Sequence, residues 1–164
     1  AFADPICNHL ADVVYDVAAP LCNAANSKAH KGGTYVCIEG PQFSTRAESR
    51  IYRQWGVDVI GMTNLPEAKL AREAEICYAT IALSTDYDCW HEGHDAVTVD
   101  AVVAVMKKNV ALAKAIVKRA AQALPSSRGC ACSSAAAHAV MTAPDAIPDA
   151  ARERLALILG KYWK

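Results

Sequence analysis

Short apolar runs that alternate with helix-length segments constrain this chain most strongly. Two runs, 35–38 and 57–62, lie beside glycines, and a third, 78–84, is almost continuously apolar. Such runs are typical of strands buried on both faces of a parallel sheet. The segments between them are long enough for helices, which is the spacing of βαβ units. The sequence therefore predicts an α/β fold with strands at 35–38, 57–62 and 78–84.

Helices are predicted before, between and after these strands. Asp4 and Pro5 favour a helix start, and Pro20 limits or kinks that helix. The other predicted helices are 45–55, 66–75, 98–124 and 149–159. The longest, 98–124, has an apolar stripe at helical spacing, with its lysines largely away from that stripe. Three strands are few for a sheet covered on both faces, so we expect the chain to be part of something larger.

Charge and hydropathy argue against several classes of function. The chain has 17 basic and 17 acidic residues and no net charge, which argues against a nucleic-acid-binding surface. It has no uninterrupted apolar stretch long enough for a transmembrane helix, and residues 1–5 do not begin a signal peptide. The seven cysteines are odd in number and irregularly spaced, which favours reduced thiols and a cytoplasmic location.

Three segments at or near predicted strand ends suggest the chemistry. They are GPQFSTRAES at 40–49, GMTNLPE at 61–67 and STDYDCW at 84–90. In this order and spacing they resemble the trimeric purine nucleoside phosphorylase family, and its methylthioadenosine phosphorylase branch most closely. The similarity runs over about 1–124, and the tail beyond residue 125 matches weakly. The resemblance implies a three-layer α/β sandwich with a mixed, mostly parallel central sheet, of which residues 1–164 are the C-terminal part of a single domain.

Asp86 and Asp88 are the candidate catalytic residues. Two carboxyl groups at i and i+2 past a strand end can form a pair, and burial together with mutual repulsion would keep one of them protonated near neutral pH. On these two residues alone, ordinary loop aspartates are the alternative. The resemblance implies that Asp86 meets purine N7 as a general acid. Either carboxyl group could accept a hydrogen bond from the exocyclic amino group.

The resemblance also implies which residues bind the substrate. Ser44 and Asp86 stand where relatives that take 6-oxopurines have glutamate and asparagine, and both differences favour a 6-aminopurine. Phe43 would pack against the purine face, Met62 would lie under the ribose, and Thr63 would bind phosphate and ribose. A structural role is the alternative for Phe43 and for Met62.

Three valines of the longest helix complete the candidate site. Val99 stands where branches that use ordinary nucleosides have a histidine for the 5′-hydroxyl group. With Val102 and Val103 it would form an apolar pocket that suits a methylthio group and leaves a hydroxyl group unpaired. For Val102 and Val103, a place in the helix core is an equally weighted alternative.

The expected function is phosphorolysis of 5′-methylthioadenosine to adenine and 5-methylthioribose 1-phosphate, with phosphate as co-substrate and no other cofactor. The family's phosphate-binding residues come from its N-terminal half, which we expect to lie on another chain or to have been lost, and the resemblance implies a trimer. A phosphorylase for methylthioinosine or ordinary purine nucleosides is one alternative. A non-catalytic fragment that binds nucleosides is the other.

Two local patterns are weighed as further sites. His91-Glu92-Gly93-His94 lacks the spacing of a zinc-binding helix, so no metal site is expected. Cys130 and Cys132 could form a strained disulfide or a redox-sensitive pair, although free thiols are favoured in a reducing compartment.

Overall fold

The computed structural model of the chain describes residues 1–91 and 99–163, except the side chains of residues 99, 101 and 102. The longer elements are α1 (Asn8–Ala24), β1 (Tyr35–Cys37), α2 (Arg46–Gln54), β2 (Val59–Gly61), α3 (Asn64–Glu73), α4 (Val99–Ala123) and α5 (Asp149–Leu159). Short 3₁₀ turns cover Ala131–Ser134, Pro144–Ala146 and Gly160–Tyr162. This order confirms the predicted α/β class. Among the described residues, no helix combines the length and hydropathy needed to cross a membrane.

Two of the predicted strands form a parallel pair. Tyr35 lies opposite Val59, and Cys37 lies opposite Gly61. The predictions at 35–38 and 57–62 are therefore confirmed, with narrower bounds. The connection between the two strands contains α2, as a βαβ unit requires.

The ends of α2 follow from local sequence. Thr45 and Glu48 form a reciprocal capping box at its start, which satisfies backbone N–H groups that have no partner within the helix. Gly56 follows its end with a φ of 75°, a conformation that glycine adopts without steric penalty. The predicted helix at 45–55 is confirmed as Arg46–Gln54.

The third predicted strand is wrong. Residues 78–84 form no strand, and a cleft of about 460 Å³ is lined by 78–83 on one side and by Val59 and Ile60 of β2 on another. A strand needs a neighbour for its backbone groups, and across this cleft the segment makes no ladder with β2. Its first carbonyl group instead accepts a hydrogen bond from α1, because the backbone N–H of Cys7 donates to Tyr78 O at 2.8 Å.

The start of α1 differs from the prediction, and the same hydrogen bond is involved. The helix was predicted to begin at Asp4 and Pro5, but it begins at Asn8 because Cys7 is held in an extended conformation as its N-cap. Pro20 lies inside the helix, which continues to Ala24.

The hydrophobic core lies between α1 and α4. Its buried centre is formed by Ala18, Cys22 and Ile116. The partly buried residues packed around that centre are Val14, Val17, Leu21, Ala29, Ile81 and Leu112. Ile81 brings the unpaired segment 78–84 onto the two helices. The core is small because its centre contains one large aliphatic side chain beside alanine and cysteine.

The predicted helix at 98–124 is confirmed as Val99–Ala123; Thr98 itself lies outside the described residues. One side of α4 is buried through Ile116 and Ala120. Other residues of the apolar stripe are exposed, with 40% of Val103, 49% of Met106, 44% of Val110 and 57% of Val117 accessible. No described element covers this part of α4.

The C-terminal tail is attached to the end of α3 through Glu75. This residue is buried, and its side chain accepts a hydrogen bond from the backbone N–H of Ala136 at 3.0 Å. It also contacts Lys161 and Tyr162, and its carbonyl group accepts from Arg128 at 3.0 Å. Burial alone would raise the pKa of Glu75, but the donors from Lys161, Tyr162 and Ala136 outweigh burial and lower the pKa to about 2. Within the tail, the predicted helix 149–159 is confirmed as Asp149–Leu159.

Candidate functional site

The first two of the three segments meet at the carboxyl edge of the parallel strands. The backbone N–H of Ile38 donates to Gly61 O at 2.9 Å, so the chain leaves β1 beside the end of β2. Gly40 follows with a φ of 69°. A Cβ atom there would lie 3.0 Å from Met62 Sδ. The segments 40–49 and 61–67 are therefore in contact where ligands bind to open α/β sheets.

The third segment packs against the first. The thiol of Cys89 donates to the carbonyl oxygen of Ser44 across 3.6 Å. The guanidinium carbon of Arg53, on α2, lies 3.5 Å from the centre of the Trp90 ring, which is a close cation–π contact. On the other side, the Asn109 amide of α4 donates to Ser84 O at 2.8 Å. The fold thus brings together all three segments that were singled out in the sequence.

The two candidate catalytic carboxylates shape their own loop. Asp86 is exposed, and its Oδ1 accepts a hydrogen bond from the Thr85 hydroxyl group at 2.7 Å. Asp88 is half-buried, and its Oδ1 accepts from the backbone N–H of Cys89 at 2.8 Å. The described residues therefore do not provide around Asp86 the burial that was predicted for a protonated carboxyl group. The reason is that no described element lies over the loop.

Phe43 and Ser44 differ sharply in environment. The Phe43 ring is 85% exposed, so its apolar faces are available to a planar ligand. Ser44 Oγ is buried and has no hydrogen-bond partner in the described part of the chain. A buried hydroxyl group without a partner is uncommon in folded proteins.

Met62 and Thr63 lie at the junction between β2 and α3. Met62 is half-buried against Gly40, whereas Thr63 is exposed as the N-cap residue of α3. Thr63 also lines the cleft between β2 and 78–83. Both residues thus stand at the edge where the first and second segments meet.

The α4 valines are only partly described. The side chains of Val99 and Val102 lie outside the described residues, so their predicted pocket stays a prediction. Val103 is 40% exposed on the uncovered stripe of α4.

A polar cluster beside Thr63 was not singled out as a site in the sequence. The Tyr78 hydroxyl group contacts Glu67 at 2.8 Å and Asn64 at 3.0 Å. Burial raises the pKa of Tyr78, and its hydrogen bond to the Glu67 carboxylate adds to the effect. Asn64 and Glu67 lie within the quoted segment GMTNLPE, so their position in that segment was the available signal. The cluster fixes α3 to the segment after it.

All seven cysteines are free thiols. Cys130 Sγ lies 3.4 Å from Cys77 Sγ, and hydrogen bonds from the backbone N–H of Cys132 and then from Cys77 lower the pKa of Cys130 to about 7. Such a thiol ionises near neutral pH. Of the pattern His91-Glu92-Gly93-His94, the last three residues lie outside the described part of the chain.

The sequence profile of the phosphorylase superfamily matches residues 2–122. The chain belongs to this superfamily. The match covers all three segments, both strands and most of α4. It ends close to where the resemblance was expected to fade.

Individual relatives match further along the chain. The S-methyl-5'-thioadenosine phosphorylase of Geobacter sulfurreducens is 56% identical over 161 residues, which are 98% of this chain and 55% of that protein. The enzyme of the same name from Koribacter versatilis is 57% identical over 162 residues, 99% of this chain and 54% of that protein. The chain thus spans about half the length of these relatives. These two matches extend into the tail, whereas the match to the superfamily profile ends at residue 122.

Solved structures give the same assignment. A methylthioadenosine phosphorylase from an antarctic soil metagenomic library is 44% identical, with a TM-score of 0.88 over 97% of this chain and 55% of that one. A variant of the adenosine/methylthioadenosine phosphorylase of Schistosoma mansoni, in complex with methylthioadenosine, is 32% identical with a TM-score of 0.68 over 78% of this chain. The predicted α/β fold of this superfamily is confirmed.

Proposed function

We propose that this chain supplies the nucleoside-binding part of an enzyme that cleaves 5′-methylthioadenosine with phosphate, giving adenine and 5-methylthioribose 1-phosphate. One observation carries the proposal: two of the three segments meet at one sheet edge and the third packs against the first, in a chain 56% identical to an S-methyl-5'-thioadenosine phosphorylase. Phosphate is the co-substrate, no other cofactor is required, and the cytoplasm is the compartment.

The chemistry assigns a general acid to the third segment. As the glycosidic bond breaks, positive charge develops on the sugar and negative charge on the leaving purine. In the proposal, Asp86 delivers a proton or a hydrogen bond to purine N7. The Thr85 hydroxyl group donates to one oxygen of Asp86 and so orients the carboxyl group. Asp88 holds the loop through the Cys89 N–H and can accept from the exocyclic amino group.

The first two segments bind the rest of the substrate. In the proposal, the exposed Phe43 ring stacks on the purine face. Ser44 faces the six-membered ring, where a 6-aminopurine has no N1 proton for a carboxylate to accept. Met62 lies under the ribose, and Thr63 contacts ribose and phosphate.

The 5′ end of the substrate is assigned to α4. Val99, Val102 and Val103 surround the methylthio group in the proposal, and an apolar pocket disfavours a 5′-hydroxyl group because that group would lose its hydrogen bonds to water. The exposure of Val103 supports this assignment, since a residue already packed in the core could not contact a ligand.

The phosphate site and the cover over the pocket come from a partner in this proposal. The partner is the N-terminal half of the same enzyme on a separate chain, assembled as a trimer. The exposed Phe43 ring and the uncovered stripe of α4 support it, because such apolar surfaces mark interaction sites. Cover by a partner would also bury Asp86, which would favour the protonated form.

Replacing Asp86 tests the assigned general acid. In the assembled enzyme, Asp86→Asn is expected to lower kcat for methylthioadenosine by about two to four orders of magnitude, because a general acid contributes that much. Turnover of 6-oxopurine nucleosides should fall less. The matched control is Asp16→Asn, which removes an exposed carboxylate of α1 and should leave both rates unchanged. Equal losses on both substrate classes for Asp86→Asn would contradict the role.

The alternatives are separated by product analysis on the same preparation. Faster cleavage of inosine or methylthioinosine than of methylthioadenosine would identify a different phosphorylase, against the arguments from Ser44, Asp86 and Val99. Calorimetry on the 164-residue chain alone addresses the remaining alternative. Nucleoside binding without phosphorolysis, both alone and with the N-terminal partner, would identify a non-catalytic binding module.

A further inference from the structure

Four cysteines from three separate parts of the chain meet at one point. Cys7 is the N-cap of α1, Cys77 follows α3, and Cys130 and Cys132 begin the tail. Their four Sγ atoms all lie within 4.8 Å of one another, and Cys77 Sγ is 3.4 Å from Cys130 Sγ. Among residues 1–91 and 99–163, no other group of three or more Cys, His, Asp or Glu side chains is placed to hold a metal ion.

The spacing matches a tetrahedral metal centre. Zinc binds thiolates at about 2.3 Å, so the sulfurs of a tetrahedral four-cysteine site lie about 3.8 Å apart. In the cluster, one Sγ–Sγ distance is 3.4 Å and the others are at most 4.8 Å, so the range contains the separation of about 3.8 Å in a tetrahedral site. Two disulfides among the four cysteines would bring each bonded pair of sulfurs to about 2.0 Å, whereas all four are free thiols in the structure. The grouping therefore fits four thiolates that share one ion.

The site is closed and is supported from outside. Cys7 is buried and the other three cysteines are half-buried. The Cys7 N–H donates to Tyr78 O, which links the first ligand to the residue after the second. Glu75, two residues before Cys77, accepts from Ala136 N at 3.0 Å and so holds the tail that carries the other two ligands. Four protein ligands and no open position are the features of structural zinc sites.

We propose that Cys7, Cys77, Cys130 and Cys132 bind one Zn²⁺ ion as thiolates and thereby fasten the tail to α1 and to the end of α3. Binding releases the thiol protons to solvent. The predicted absence of a metal site concerned the histidine pattern at residues 91–94, which is separate from these four cysteines. Cys130 and Cys132 were predicted to be free thiols, with a disulfide or redox-sensitive pair as the alternative, and Cys7 and Cys77 were too distant in sequence to be recognised as their neighbours.

Metal content and cobalt substitution test the site in the intact protein. The protein is purified under reducing conditions without added chelator, and zinc is measured by mass spectrometry. We expect about one zinc ion per chain. After removal of zinc, Co²⁺ is added to the reduced protein. Four thiolates around Co²⁺ give a sulfur-to-metal charge-transfer band in the near ultraviolet and the intense visible bands of tetrahedral cobalt, and neither depends on activity.

A matched pair of variants assigns the ligands. Cys132→Ser is expected to weaken zinc binding by more than about tenfold, since even residues that only support a metal ligand have effects of that size. It should also make the tail more susceptible to proteolysis near residues 125–129. Cys37→Ser, which changes a half-buried thiol of β1 outside the cluster, should retain zinc and an intact tail.

Two outcomes would overturn the proposal. One is a fully reduced wild-type protein that neither retains zinc nor develops the cobalt thiolate bands. The other is a protein that carries disulfides among these cysteines as isolated and takes up no metal after their reduction. Because the cobalt titration uses the wild-type protein, the answer does not depend on how well a variant folds.

Discussion

Substitution of Gly40 by alanine should lower both the stability of the fold and kcat/KM for methylthioadenosine, and the two effects have separate physical causes. Gly40 has a φ of 69°, and left-handed backbone costs an alanine about 1–2 kcal/mol. The new Cβ atom would also lie 3.0 Å from Met62 Sδ, which is too close for an unstrained contact. The conformational cost lowers stability, whereas the contact displaces Met62, the residue that is proposed to lie under the ribose.

The stability term corresponds to a measurable shift in the unfolding equilibrium. A loss of about 1–2 kcal/mol lowers the ratio of folded to unfolded protein by about 5–30-fold. The contact with Met62 adds little to this, because a flexible methionine can move its thioether by a few tenths of an ångström. For catalysis the same movement matters more, since a displacement of about 1 Å can lower the rate about 100-fold. We therefore expect Gly40→Ala to lower kcat/KM for methylthioadenosine by about three- to tenfold.

Gly56→Ala is the matched control. Gly56 has a φ of 75°, and no atom lies within 4 Å of the position of an added Cβ. The control thus carries the same backbone term without a contact. Urea unfolding should give similar free-energy losses for the two variants, whereas only Gly40→Ala should change kcat/KM. Equal kcat/KM values for both variants would refute the link from Gly40 through Met62 to the substrate.

Two further predictions concern stability. Ile116→Ala should lower the free energy of unfolding by about 2–5 kcal/mol, because Ile116 is 2% exposed at the core centre. The control Val117→Ala changes a residue that is 57% exposed and should change that free energy by no more than about 0.5 kcal/mol. Similar losses for the two variants in urea unfolding would show that α4 packs differently. The carboxylate of Glu75 has its pKa lowered from 4.5 to about 2, so its stabilising effect is complete above pH 4.5 and is lost as the pH falls towards 2. Glu75→Gln should therefore unfold at lower urea concentration than wild type near neutral pH, with a difference that narrows at about pH 3; a difference independent of pH would contradict this linkage.

The helices and the parallel strand pair could be predicted because their signals are local. Thr45 and Glu48 carry a capping box and Gly56 a left-handed end, so α2 is specified by its own residues. The segment 78–84 was predicted wrongly for the opposite reason. Its apolar run has the composition of a buried strand, but pairing depends on a neighbour, and in the described residues a cleft separates it from β2.

The candidate site was likewise predictable only in part. That the first two segments would meet follows from the rule that parallel strands end at a common edge, and the closeness of Gly40 to Met62 is consistent with it. The third segment contacts the first through Cys89 and Ser44, although the residues before it form no strand. Exposure was not predictable, because the sequence of one chain does not say which of its apolar faces another chain covers. The cysteine cluster was missed for a related reason: its ligands are 53 or more residues apart, except for the CxC pair.

The tail and the candidate site are connected through α3. At its C-terminal end, Glu75 holds the tail through Ala136 N and Arg128, and the cysteine cluster lies beside it. At its N-terminal end, Asn64, which follows the N-cap residue Thr63, contacts the Tyr78 hydroxyl group. A helix fixed at both ends moves as a unit, so loosening the tail should displace the end that carries Thr63. A tail that only packed against the surface would influence stability alone, whereas a tail fastened to α3 also influences the position of the second segment, which is proposed to bind the ribose.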